Sequence, residues 1–141
     1  MTRSRELAEL ASAYDGGGSL GFRNRIINGD MRIDQRNAGA SVSASNGTFS
    51  VDRWSCVSYD SGSQTGKFTV QQNAGSVTPP AGFKNYLGIT SSAATSVGSN
   101  GIYAIGQGIE GYNIADLGWG SAGASSVTVS FWVRSSLTCV S

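Results

Sequence analysis

The chain has 141 residues, a net charge of +1, 13% charged and 39% apolar residues, 20 glycines, two cysteines and no histidine. That length is one domain, able to bury roughly two thirds of its unfolded surface. Without histidine there is no Ser-His-Asp triad, no His general base and no zinc site of the usual His/Cys kind. The near-neutral charge gives no global attraction to nucleic acid or an anionic membrane, and no apolar run reaches the ~20 residues of a membrane span.

Residues 4–14 read as a helix: Ser4 can cap its start, good helix formers follow, and Leu7, Leu10, Ala11 and Tyr14 fall on one face. Isolated helices below ~12–15 residues rarely persist, so this one needs a surface to dock on. Glu6 and Glu9 interrupt the apolar run that a secretion signal requires. Asp15-Gly16-Gly17-Gly18-Ser19 then reads as a flexible linker, which divides the chain into an N-terminal arm, 1–19, and a β domain, 20–141.

From residue 20 onward, short β-type runs alternate with Gly, Asn and Ser clusters, which predicts an antiparallel β-sandwich. Strands are expected near 24–36, 48–58, 66–73, 85–90, 101–109 and 126–137. In the last, Val127, Val129, Phe131 and Val133 alternate with Thr128, Ser130, Trp132 and Arg134, predicting a core face and an outer face that carries Trp132. Asn46-Gly47 signals a turn, Pro79-Pro80-Ala81-Gly82 a loop, and Ser91–Asn100 a small-residue loop. Cys56 and Cys139 are expected as buried free thiols, since a disulfide needs Cα atoms within ~7 Å and nothing in the spacing indicates that.

Several motifs invite chemical readings, each with a plainer rival. Gly106-Gln107-Gly108-Ile109-Glu110-Gly111 matches the dinucleotide fingerprint, but no βαβ unit follows and Asp116 is the last carboxylate side chain, so turns and bulges are preferred. Asp30, Asp34 and Asp52 are candidate calcium ligands; with Arg32, Arg36 and Arg53 beside them, surface ion pairing is the favoured reading. As a carboxylate pair for glycoside hydrolysis they have no distinctive context. Asn46-Gly47-Thr48 fits a glycosylation acceptor, but with no secretion signal read at the N-terminus a hairpin turn is preferred. Trp54, Tyr59, Tyr112, Trp119 and Trp132 are candidates for sugar stacking, because aromatic faces suit the apolar side of a pyranose. Of these, Trp54 is assigned to the core, whereas Trp119, in a Gly-rich loop, is the better candidate for an exposed contact. No G-x-S-x-G nucleophile context occurs, and an enzyme is not expected.

Four segments taken in order, Arg23–Arg36 with its Asn28-Gly29-Asp30-Met31-Arg32-Ile33-Asp34-Gln35-Arg36, then Val51-Asp52-Arg53-Trp54, then Gln107–Gly111, then Val127–Ser136, resemble a family of phage and prophage virion proteins described as tail-fibre or minor structural proteins. The likeness extends loosely to carbohydrate-binding jelly-roll modules. It implies a jelly-roll domain, and an N-terminal helix that attaches the chain to other virion proteins. The family domain runs on for several strands after Phe131-Trp132-Val133-Arg134-Ser135-Ser136, so about a third of the sandwich is expected to lie outside this sequence. A neighbouring subunit adding a strand, a shortened relative, or a piece of a longer chain would each account for that.

The function so implied is a non-enzymatic virion component, homotrimeric as fibres are, projecting a β domain for attachment to a host-surface glycan. The glycan contact falls to Trp119 and Tyr112, and virion attachment to Leu7, Leu10, Ala11 and Tyr14. Neither a cofactor nor membrane insertion is expected, with calcium on the three aspartates as the exception. A capsid decoration protein bridging shell subunits and a carbohydrate-binding module of a larger protein are the alternatives.

Overall fold

The structure is a computed structural model that describes residues 3–4, 6–7, 23–60, 67–94 and 96–136. Its described residues are mainly β. Six strands, β1 (Val42–Ser43), β2 (Phe49–Val51), β3 (Trp54–Tyr59), β4 (Phe68–Gln72), β5 (Leu87–Ser91) and β6 (Ile102–Gly106), form two antiparallel sheets ordered β1-β4-β5 and β2-β3-β6.

Period-two patterning explains the central strands. In β3, Cys56 and Ser58 are buried while Ser55, Val57 and Tyr59 are not; in β4, Phe68 and Val70 are buried and Thr69 is not. Side chains directly opposite one another in an antiparallel pair share a face. Cys56 and Ser58 therefore lie beside Ile105 and Tyr103 of β6, and Val70 beside Val42 of β1 and Ile89 of β5. The core joins the two sheets: Ala44, Cys56, Phe68 and Val70 are buried together, with Val42, Leu87, Tyr103 and Ile105 packed against them. Phe68 of one sheet meets Tyr103 of the other edge to face, centroids 6.3 Å apart, an arrangement that suits the ring quadrupoles.

Three strand expectations need correction. The run 48–58 divides into β2 and β3, because Asp52 and Arg53 form a tight turn with Arg53 at φ 76° and Val51 pairs directly with Trp54. Residues 24–36 form no strand: Asn28 and Met31 take φ 54° and 55°, Met31 N–H donates to Asn28 C=O, and the chain folds into consecutive turns. Asn-Gly-Asp turn chemistry outweighs the β-branched residues there. Residues 126–136 also form no strand, and Val127, Val129, Phe131 and Val133 are exposed together with Trp132, so the expected core face is not buried. Their alternation is real, but an isolated strand without a paired neighbour has neither ladder nor core.

The expected helix over 4–14 lies mostly outside the described residues. Arg3, Ser4, Glu6 and Leu7 are helical, with Leu7 exposed; Leu10, Ala11 and Tyr14, and the linker 15–19, fall outside. The α-helix that the structure delimits lies on the C-terminal side instead, at Gly111–Ile114, followed by a 3-10 turn over Ala115–Leu117. Gly118 ends that turn in the left-handed conformation at φ 61°, where a side chain would be disfavoured. The remaining turn and loop expectations hold: Gly47 has φ 80° in the Asn46-Gly47 turn, Phe83 N–H closes on Pro80 C=O, and residues 92–94 and 96–100 are loop. Cys56 is buried and free, while Cys139 lies outside the described residues. Among the described residues, no helix is long and apolar enough to cross a membrane.

Candidate functional site

Three of the separated sequence segments meet at one end of sheet β2-β3-β6. Asn28 is the centre of the contact. Its amide donates to Ile33 C=O and Asp52 C=O, both at 2.9 Å, its Oδ1 accepts from Ile33 N–H at 3.0 Å, and its own C=O accepts the Trp54 indole N–H at 3.1 Å. Gln107, just beyond β6, grips Ile27 from both sides, accepting from its N–H at 2.9 Å and donating to its C=O at 2.7 Å. A side-chain amide carries one acceptor and donors, as a peptide unit does, so Gln107 stands in for a strand partner that Ile27 lacks. Trp54 is only partly buried rather than a full core residue, because its indole nitrogen is spent on this junction.

Two ion pairs brace the same junction. Arg53 Nη2 bonds Glu110 Oε1 at 2.5 Å and Gly108 C=O at 3.2 Å, which places the dinucleotide-like glycine run against the β2–β3 turn. Arg25 holds Asp116 through two parallel bonds of 2.8 and 2.5 Å and also donates to Asn113 C=O. Such bidentate pairs are directional as well as charged. The Arg25 bonds hold the Asp116 carboxyl below the usual carboxylate range, and Asp116 in turn raises the Arg25 guanidinium. The Glu110 carboxyl is also lowered, first by its own backbone N–H and then by Arg53. Nothing in the motif spacing signalled Arg25, Gln107 or Asn28 as partners, since each reaches across from 24 to 91 residues away.

The three candidate metal-binding aspartates serve turns and ion pairs. Asp34 accepts from Asn37 N–H at 3.1 Å and Gly39 N–H at 2.8 Å, closing the 35–39 turn. Asp52 accepts from Gln35 N–H at 2.9 Å and lies 3.9 Å from Arg36, and Asp30 lies 3.6 Å from Arg32. Arg36 in turn stacks over the Phe49 ring at 4.5 Å. Among the described residues, no group of three or more potential ligands is placed to hold a metal ion. Cys56 is unsuited to nucleophilic work, because burial pushes its thiol pKa up.

Tyr112 and Trp119 both lie on the exposed 111–125 segment. Tyr112, the second residue of the short helix, is 93% exposed; Trp119 is 56% exposed, with its indole N–H donated to Ser125 C=O at 2.9 Å. The loop around Trp119 is drawn tight by Ser121 N–H on Gly118 C=O and Ser125 N–H on Leu117 C=O. The indole is thus oriented by the loop while much of its face stays in water. Tyr59 and Trp132 are exposed elsewhere, on β3 and on the extended 126–136 segment. Comparison with protein-family models, curated proteins and solved structures finds no match to the chain.

Proposed function

We propose that the chain is a non-enzymatic structural component of a phage virion, tail-fibre-like, in which the N-terminal arm attaches to other virion proteins and the β domain projects to a host-surface glycan. The observation that carries the glycan contact is the Trp119 indole, tethered through its N–H to Ser125 and left open to water. Sugar faces are bound by aromatic rings whose orientation is set in advance, because little rotamer entropy is then lost on binding. Tyr112 supplies a second exposed ring on the same segment. The two sheets are read as the layers of a jelly-roll-like sandwich, a reading supported by the core that Phe68, Val70, Cys56 and Tyr103 build from both of them. A homotrimer and a virion location complete the proposal.

Copy number tests it. Quantitative mass spectrometry of purified virions against a major capsid protein is expected to find a few to a few tens of copies in multiples of three; absence from the particle overturns the reading. The exposed 126–134 segment favours a second reading, capsid decoration, because an unpaired arm suits a protein that bridges neighbours, and hundreds of copies per virion would select it. On glycan arrays the full chain is expected to bind, and Trp119→Ala and Tyr112→Ala to weaken that binding with unfolding temperature unchanged. Unchanged binding in both removes these rings from the site.

A further inference from the structure

Residues 126–134 combine a strand's pattern with a strand's lack of partners. Among the described residues none of them takes part in a ladder, and Val129, Phe131, Trp132 and Val133 are each 75–79% exposed. On the face shared by Val127, Val129, Phe131 and Val133, all four apolar side chains are exposed, the last three by more than three quarters.

Among the described residues, β5 is an edge strand of its sheet, paired only with β4. Asn73 N–H bonds Tyr86 C=O and Ser92 N–H bonds Lys67 C=O, so residues 86, 88, 90 and 92 face β4. Leu87, Ile89 and Ser91 consequently turn their backbone N–H and C=O groups outward. Ile89 lies opposite buried Val70 and thus on the core face of the sheet, yet it is 60% exposed: the core face is uncovered there. Beside the Ser91 end, an open groove of about 410 Å³ is lined by Phe68, Val97, Ala93, Ala94 and Tyr103 with Lys67. The outer face of β5 is closed, since Ala74 sits directly over Gly88.

We propose that residues 126–134 are a donor strand that pairs with the free edge of β5 in a second copy of this chain. The Val127, Val129, Phe131 and Val133 side chains then line up beside Ile89 and the groove, while Thr128, Ser130, Trp132 and Arg134 stay on the outer face. Main-chain bonds supply the affinity and the alternate apolar side chains the register, as in strand addition generally. A second copy is the occupant because every copy carries both the donor segment and the β5 edge, so mutual exchange satisfies both in a closed assembly. Two copies exchange reciprocally, or three close a ring, the latter agreeing with the homotrimer proposed above. The inference does not depend on what the domain binds.

Sedimentation equilibrium of the full chain tests it. The chain is expected to associate as a dimer or trimer, and Phe131→Lys or Ile89→Lys to sediment as a monomer with far-ultraviolet dichroism retained, since both side chains are exposed in the single copy. An equimolar mixture of the two variants is expected to form a heterodimer, because the intact donor of one still fits the intact edge of the other. A chain that stays monomeric overturns the proposal, and protection of the 126–134 amides from hydrogen exchange in that monomer would assign the edge to the chain's own segment. An oligomer indifferent to both substitutions overturns it as well.

Discussion

At the scale of single residues, side-chain amides do the work that strands do elsewhere. Asn28, Asn37, Gln71, Gln72 and Gln107 each bond backbone groups of another segment, and together they pin residues 27–39 to the sheets without a ladder. Asn28 also occupies φ 54°, a region where Asn is tolerated better than most residues. Asn28→Ala removes three side-chain hydrogen bonds and sets a less tolerant residue in that conformation. It is expected to destabilise the fold by about 3 kcal/mol, measured as a lower urea midpoint with unchanged m-value.

The elements themselves are short, and their ends are set by close contacts. β5 tolerates only glycine at 88: a Cβ there would stand 2.4 Å from the Ala74 Cβ, against the 3-10 turn Ala74–Ser76 that the Tyr86 hydroxyl ties down through Ala74 C=O and Val77 N–H. Gly88→Ala therefore has to push that turn away, and a cost of about 2 kcal/mol is expected, read as a lower unfolding temperature. The β2–β3 connection shows the same dependence on a distant partner. Arg53 is a non-glycine residue at φ 76°, and its guanidinium is held by Glu110 from beyond β6.

For the whole molecule, Arg25–Asp116 and Arg53–Glu110 are charged ties, among the described residues, between the first half of the chain and the segment beyond β6. Both carboxyls have folded pKa values below their ordinary ones. Such groups contribute stability at pH values above the unfolded carboxylate pKa, ~3.9–4.3, and lose it as pH falls through the folded value. Stability is therefore expected to decline below about pH 5, and the Asp116→Asn/Glu110→Gln chain to be less stable at neutral pH with the gap closing in acid. Urea titrations at stepped pH measure both curves.

The amino-acid sequence by itself determined the β class, the strands β4, β5 and β6 within a few residues, the turns at Asn46-Gly47 and Pro79–Gly82, and the exposure of Trp119. These are local properties: a period of two, glycine and asparagine at turns, and aromatic rings in glycine-rich loops. The tertiary structure alone decided that 24–36 is a pinned set of turns, that Asp34 caps one of them, and that Arg53 reaches Glu110. It also decided that Val127–Val133, the clearest alternation in the chain, has no core to face. Burial and pairing belong to a residue and its neighbour together, and the neighbours here lie tens of residues away or, by the inference above, in another copy.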